Sequence, residues 1–247
     1  MIINETNIHE FLGKDGRLEI ERKVSYVVIS EEVGEKIKSI YCGGKKLEHL
    51  TIPTTCTELE LIDVDGSDEI TSLTIPDSCT SLKFIYCKNN QYLSKLILPK
   101  ECPFLEIIDV HNNGLSTLII PNAPRLTNIY CKNNKLSSLI IPKSCTSLEY
   151  FTCEDNNLTD FTLPKECTNL RSINLLNNKL VNFVVHPSFS SPLLYADDDS
   201  IVLVFTEVNI YLNVGGAFYP NRYKHHKKRT DAIIKALQSS DFQKLSS

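Results

Sequence analysis

The chain has 247 residues, 42% of them hydrophobic and 23% charged, with a formal net charge of −4. That describes one ordinary domain long enough to bury a large core, and the charge balance argues neither for nor against a nucleic-acid partner. No apolar run approaches the roughly 18 residues of a membrane span, and MIINETNIHEFL lacks the basic and apolar regions of a secretory signal peptide, so a cytoplasmic type of protein is expected.

Residues 1–36 read as an N-terminal cap. Asn4 to Leu12 suggests a short helix, and Lys14-Asp15-Gly16-Arg17 is a turn signal with Leu18-Glu19-Ile20 beyond it. Val24 to Ile29 fits the second half of a repeat, so the repeating pattern begins there or at 37.

Residues 37–207 read as an array of about seven to eight repeats. One spelling, L-x-x-I/F-x-C/V/L-x-x-N-x-L, runs through Leu82-Ile85-Cys87-Asn90-Leu93, Leu105-Ile108-Val110-Asn113-Leu115 and Leu126-Ile129-Cys131-Asn134-Leu136. It continues as Leu148-Phe151-Cys153-Asn156-Leu158 and Leu170-Ile173-Leu175-Asn178-Leu180, with weaker copies opening at Ile37 and Leu59. The first slot falls at 37, 59, 82, 105, 126, 148 and 170, a period of 21 to 23 residues that marks a solenoid. A second motif, L-x-x-L-x-I/L-P, follows in each turn, as in Leu93-Leu96-Leu98-Pro99 and Leu136-Leu139-Ile141-Pro142. Its period of two predicts a short strand on the convex side, ended by a proline that cannot donate to a ladder.

The nine cysteines fall into two slots of this pattern: 42, 87, 131 and 153 in one, and 56, 79, 102, 145 and 167 in the other. In the first they alternate with Val64, Val110 and Leu175, so they act as small buried hydrophobes, reduced and inert. No CxxC pair is present, and no metal or other cofactor is expected. The asparagine slot predicts a polar ladder that satisfies buried backbone groups across turns. Lys45 and Ser67 depart from it, so the first turns should be looser.

The eighth turn is degenerate, with His186, Phe189, Pro192, Tyr195 and Asp197 in the slots and Val202 and Phe205 forming its second strand. Residues 208–247 read as a C-terminal cap with a short helix from Thr230 to Gln238.

These residues resemble the leucine-rich-repeat superfamily over about 170 positions, in the short, proline-marked type found in bacterial effector proteins delivered into host cells and in related surface proteins. The resemblance implies a β-rich α/β solenoid: a horseshoe with a parallel concave sheet, short convex strands and two caps. It also implies a non-enzymatic scaffold that binds a host protein, with translocation as its route there. Some effectors of this type carry a ubiquitin-ligase domain. Residues 208–247 are too short for one and contain no cysteine, so that activity is not carried over.

Outward strand positions define the candidate partner site. Phe84, Tyr86, Ile107, Tyr130 and Tyr150 should converge on the concave face, rimmed by Asp63, Lys88, Asp109, His111 and Lys132. Asp109 is expected to pair with Lys88 or Lys132, and the cations to favour an acidic protein surface. No arrangement of nucleophile, base and acid emerges, so no enzyme and no small-molecule substrate is expected. A monomer is expected. The basic run 224–229, KHHKKR, supports a second reading as a nucleic-acid or anionic-membrane adaptor.

Overall fold

The computed structural model describes residues 1–20, 24–44, 46–180, 182–185, 193–195 and 202–204. The chain winds as a parallel β-solenoid, one turn per sequence period. Among the described residues, nine three-residue strands pair side by side in one parallel sheet: Arg17–Glu19, Ser39–Tyr41, Leu61–Asp63, Phe84–Tyr86, Ile107–Asp109, Asn128–Tyr130, Tyr150–Thr152, Ser172–Asn174 and Leu193–Tyr195. The register is the sequence period itself: Ile85 aligns with Ile108, Ile108 with Ile129, and Ile129 with Phe151. Each middle residue from Leu18 to Ile173 points inward and is buried, while its two neighbours stay outward.

The opposite side carries the second motif. Ile2–Ile3, Tyr26–Ile29 and His49–Thr51 form one parallel sheet, Ser72–Thr74 and Lys95–Ile97 a second, and Asp160–Thr162, Asn182–Val185 and Val202–Val204 a third. A single parallel bridge joins Ile119 to Ile140. The two sides therefore close around one core of leucine, isoleucine, valine and cysteine, with Phe151 stacked on Phe161 at 5.1 Å.

Within 1–36, Arg17–Glu19 is the edge strand of the concave sheet, and Tyr26–Ile29 pairs on the back with His49–Thr51. The helix expected over Asn4 to Leu12 is a single 3-10 turn at Ile8–Glu10. A second 3-10 segment, Glu31–Lys36, was not anticipated. In the eighth turn Leu194 aligns with Ile173 and Tyr195 with Asn174, one residue away from the register read through Pro192, Tyr195 and Asp197. The basic run 224–229, the helix expected at 230–238 and the rest of 208–247 lie outside the described residues.

All nine cysteines are unpaired and buried. Burial pushes the thiols of Cys42, Cys56, Cys102 and Cys167 up to about 12 and that of Cys79 to about 11, because a thiolate in an apolar interior has lost its solvation. Cys87 and Cys131 are raised well above the ordinary value for the same reason. The missing member of the second cysteine ladder, between Cys102 and Cys145, is the buried Ala123.

The asparagine ladder bonds adjacent turns together. The Asn134 amide donates to the carbonyls of Val110 in the preceding turn (2.9 Å) and Cys131 in its own (3.1 Å), while its oxygen accepts from the Leu115 backbone N–H at 3.0 Å. Asn156 repeats the pattern with Cys131, Cys153 and Leu136. Ser67 is fully buried and keeps the ladder going, its hydroxyl accepting from the Gly44 N–H at 3.2 Å. One turn on, the buried Asn90 amide nitrogen has no partner among the described residues, while its oxygen accepts from the Ser67 N–H at 2.6 Å.

A second column runs beside the first. Asn89, Asn112, Asn133, Asp155 and Asn177 all have φ between 52° and 59°, the left-handed region that a short polar side chain tolerates best after glycine. Gly66, at φ 68°, holds the same place one turn earlier. Their side chains form a second set of bonds on the surface: Asn112 to Asn89 (2.8 Å), Asn133 to Asn112 (3.0 Å) and Asn177 to Asp155 (2.6 Å).

Candidate functional site

The concave sheet brings the selected residues together in two adjacent outward columns. In the first, Leu61, Phe84 and Ile107 are neighbours in register, followed by Asn128 and Tyr150. In the second, Tyr41, Asp63, Tyr86, Asp109 and Tyr130 follow one another, so tyrosine and aspartate alternate strand by strand. Phe84 and Tyr86 lie on one strand with rings parallel to within 4° and centroids 6.2 Å apart. Of the aromatics Phe84, Tyr86, Tyr130 and Tyr150, Tyr150 is the most open to solvent, at 38% exposure. The Asn128 amide donates to the Tyr130 hydroxyl and fixes the ring's tilt.

The charged residues are arranged differently from expectation. Asp109 pairs with neither lysine. Its carboxylate meets His111 Nδ1 at 2.5 Å, two residues along the same segment. Asp109 is also buried, at 8% exposure, so it lies in the floor of the face between Tyr86 and Tyr130. Lys88 turns back to Asp65 at 3.3 Å, and Lys132 turns forward to Glu154 and Asp155 at 3.5 and 3.7 Å. The reason is geometric: cations in the third outward column sit closer to carboxylates of that same column than to the second. Asp65 holds the Lys88 ammonium above its usual range, while burial outweighs Lys88 and pushes the Asp65 carboxyl up. Tyr86 is pushed up by burial and then by Asp109.

Each cation thus carries its own counter-charge. Asp63, Asp65, Asp109 and Glu154 outnumber Lys88, Lys132 and His111, so the face is net acidic. Asp65 and Glu154 are the residues that the selection of site positions missed, although their column was readable from the period. The Asp63 carboxylate accepts from the Asp65 N–H two residues on (3.1 Å), and the Asp65 carboxylate accepts from the Lys88 N–H of the next turn (2.8 Å), which holds the backbone here. Among the described residues no cluster of histidine, cysteine, aspartate and glutamate could hold a metal ion.

No known family profile matches the chain, and no curated protein matches its sequence. Solved structures do. YopM, described as a leucine-rich effector protein from Yersinia pestis, is 26% identical over 76% of this chain and 50% of its own, with a TM-score of 0.54. YopM from Yersinia enterocolitica is 18% identical over 86% of this chain and 50% of its own, with a TM-score of 0.49. InlJ from Listeria monocytogenes, whose functional domain includes a cysteine ladder, is 16% identical over 75% of this chain and 49% of its own, at 0.45. The chain spans about half the length of these proteins. Together with the register and the repeat spelling, the first of these likenesses establishes the leucine-rich-repeat fold.

Proposed function

We propose that this leucine-rich-repeat solenoid is a non-enzymatic scaffold that binds a protein partner through its concave face, and that it acts as a bacterial effector on a host protein. The observation that carries the binding site is the alignment of Phe84, Tyr86, Ile107, Tyr130 and Tyr150 on four adjacent strands of one sheet. Aromatic side chains held on a rigid support bury large area at small entropic cost, and interfaces concentrate their energy in such groups. The effector role is supported by the likeness to YopM of Yersinia pestis, which covers half of that protein.

The ion pairs change the partner's expected chemistry. Lys88 and Lys132 are already matched, Lys132 by Glu154, and the surplus carboxylate Asp63 favours a partner with basic groups around an apolar centre, in place of the acidic surface expected from the lysines alone. The experiment is affinity capture from host lysate with the wild-type chain and with the Tyr86→Ala/Tyr130→Ala variant, followed by calorimetry on the captured protein. Both side chains are outward, so the variant should fold normally and bind more weakly by about 2 kcal/mol or more. Equal affinity in the folded variant would move the site off this face.

A further inference from the structure

The back of the solenoid carries a feature that the concave site does not use. Between the inward Leu118 and Ile120 stands Ile119, 81% exposed, and between Leu139 and Ile141 stands Ile140, 79% exposed. The two are direct neighbours in parallel register. Ile97, 41% exposed, holds the same place one turn earlier. The fold does not need isoleucine there. Thr74 and Thr162 occupy that place in the flanking turns, both exposed, and threonine suits a strand about as well. Three adjacent exposed isoleucines are an apolar stripe that water disfavours unless something covers it.

We propose that the cover is a second copy of this chain, in a symmetric dimer formed back to back. The argument is charge complementarity in the neighbouring outward column, which reads Lys95, Thr117, Ser138, Asp160 along four successive turns, all exposed. Take a twofold axis lying in the contact plane, parallel to the strands, between the turn of Ile119 and the turn of Ile140. It reverses the order of turns and keeps each column facing itself. Ile119 then meets Ile140 of the second copy, and Ile97 meets its Thr162. Lys95 meets Asp160 of the second copy, and Thr117 meets its Ser138. The column carries opposite charges at its two ends and hydroxyls between, which is the pattern that self-pairing in reversed order requires. The next column, Ser94, Ser116, Ser137 and Thr159, is exposed and small throughout, so nothing bulky holds the copies apart. At the rim Lys100 brings its own counter-charge, Asp77 at 3.4 Å.

At the centre of the contact Ile119 pairs with Ile140 in parallel register, so those two turns lie about 4.8 Å apart on the back as well as on the front. Two columns over four turns make a contact below about 1,200 Å², the small end for specific pairs, so the association should be reversible and micromolar.

The test is sedimentation equilibrium of the full chain, without any partner, from low to high micromolar concentration. Wild type should pass reversibly from monomer to dimer. The Ile119→Asp/Ile140→Asp variant should stay monomeric with an unchanged urea midpoint, since both side chains are exposed. Lys95→Glu should weaken the dimer about tenfold or more, and adding Asp160→Lys should restore it. A wild type that stays monomeric overturns the proposal. So does a double-aspartate variant that dimerises as wild type does, which would put the contact elsewhere. Failure of the charge exchange to restore association overturns the register of the pairing. None of these outcomes depends on the concave face, because no partner is present.

Discussion

The buried thiols make the solenoid sensitive to alkali, and the size of the effect follows from their titration. In the unfolded chain a cysteine ionises near pH 8.5. In the folded chain Cys42, Cys56, Cys102 and Cys167 ionise only near about 12, and Cys79 near about 11. A group whose folded pKa is raised gives its full stability below the unfolded value and loses it as pH rises toward the folded one. The window is therefore about pH 8.5 to 12, and each thiol costs up to about 1.4 kcal/mol per pH unit within it. Five such thiols could remove roughly 7 kcal/mol over one unit, as much as the entire net stability of a typical domain. The comparison protein is Cys42→Val/Cys87→Val/Cys131→Val, since Val64 and Val110 already fill that slot fully buried. Urea midpoints by circular dichroism at several values between pH 8 and 10.5, with thiolate absorbance followed in parallel, give the two slopes. The variant should lose stability more shallowly, by up to about 4 kcal/mol per pH unit for three thiols. Tyrosines and lysines titrate in both proteins and cancel. Equal slopes would refute the assignment of the alkaline loss to the cysteine ladder.

Other outcomes follow from the same core. At neutral pH all nine cysteines should react slowly with a thiol reagent until urea unfolds the chain; rapid native labelling of several would contradict their burial. Asn134→Ala removes three donated bonds and strands the Leu115 N–H, so it should cost about 1–3 kcal/mol in urea unfolding, and no change in midpoint would contradict the ladder. Asn112→Val puts a branched residue at φ 57° and should cost roughly 1–2 kcal/mol, whereas Asn112→Gly should cost far less; equal effects would deny the backbone reason for that column.

The inward positions were legible in the sequence because they repeat. Ile129, Cys131 and Asn134 recur at fixed offsets from Leu126, and a buried slot accepts few residue types. The outward columns were legible as columns for the same reason. Their pairing was not: Asp109 chose His111, two residues on in its own turn, over lysines in the flanking turns, a matter of side-chain reach that no period encodes. The left-handed column was in view as the first residue of each Asn-Asn pair, at 89, 112, 133 and 177, but one letter repeated twice concealed two roles. The isoleucine stripe was hidden by its own fitness, since isoleucine is ordinary in a strand and only the exposure of Ile119 and Ile140 sets them apart.

The asparagine bonds have one more consequence. Each turn takes from the turn before it the same acceptor: Asn134 uses the carbonyl of Val110, and Asn156 that of Cys131. Remove one whole period, Leu126 to Ser147, and Asn156 arrives at Val110, Phe151 beside Ile108 and Cys153 beside Val110. The bonds of the buried asparagine ladder lost at the junction are remade there with a different owner. The number of turns is thus a countable, editable quantity in this protein, and its working surface can be shortened or extended in whole steps of about 4.8 Å with no joint that needs to be invented.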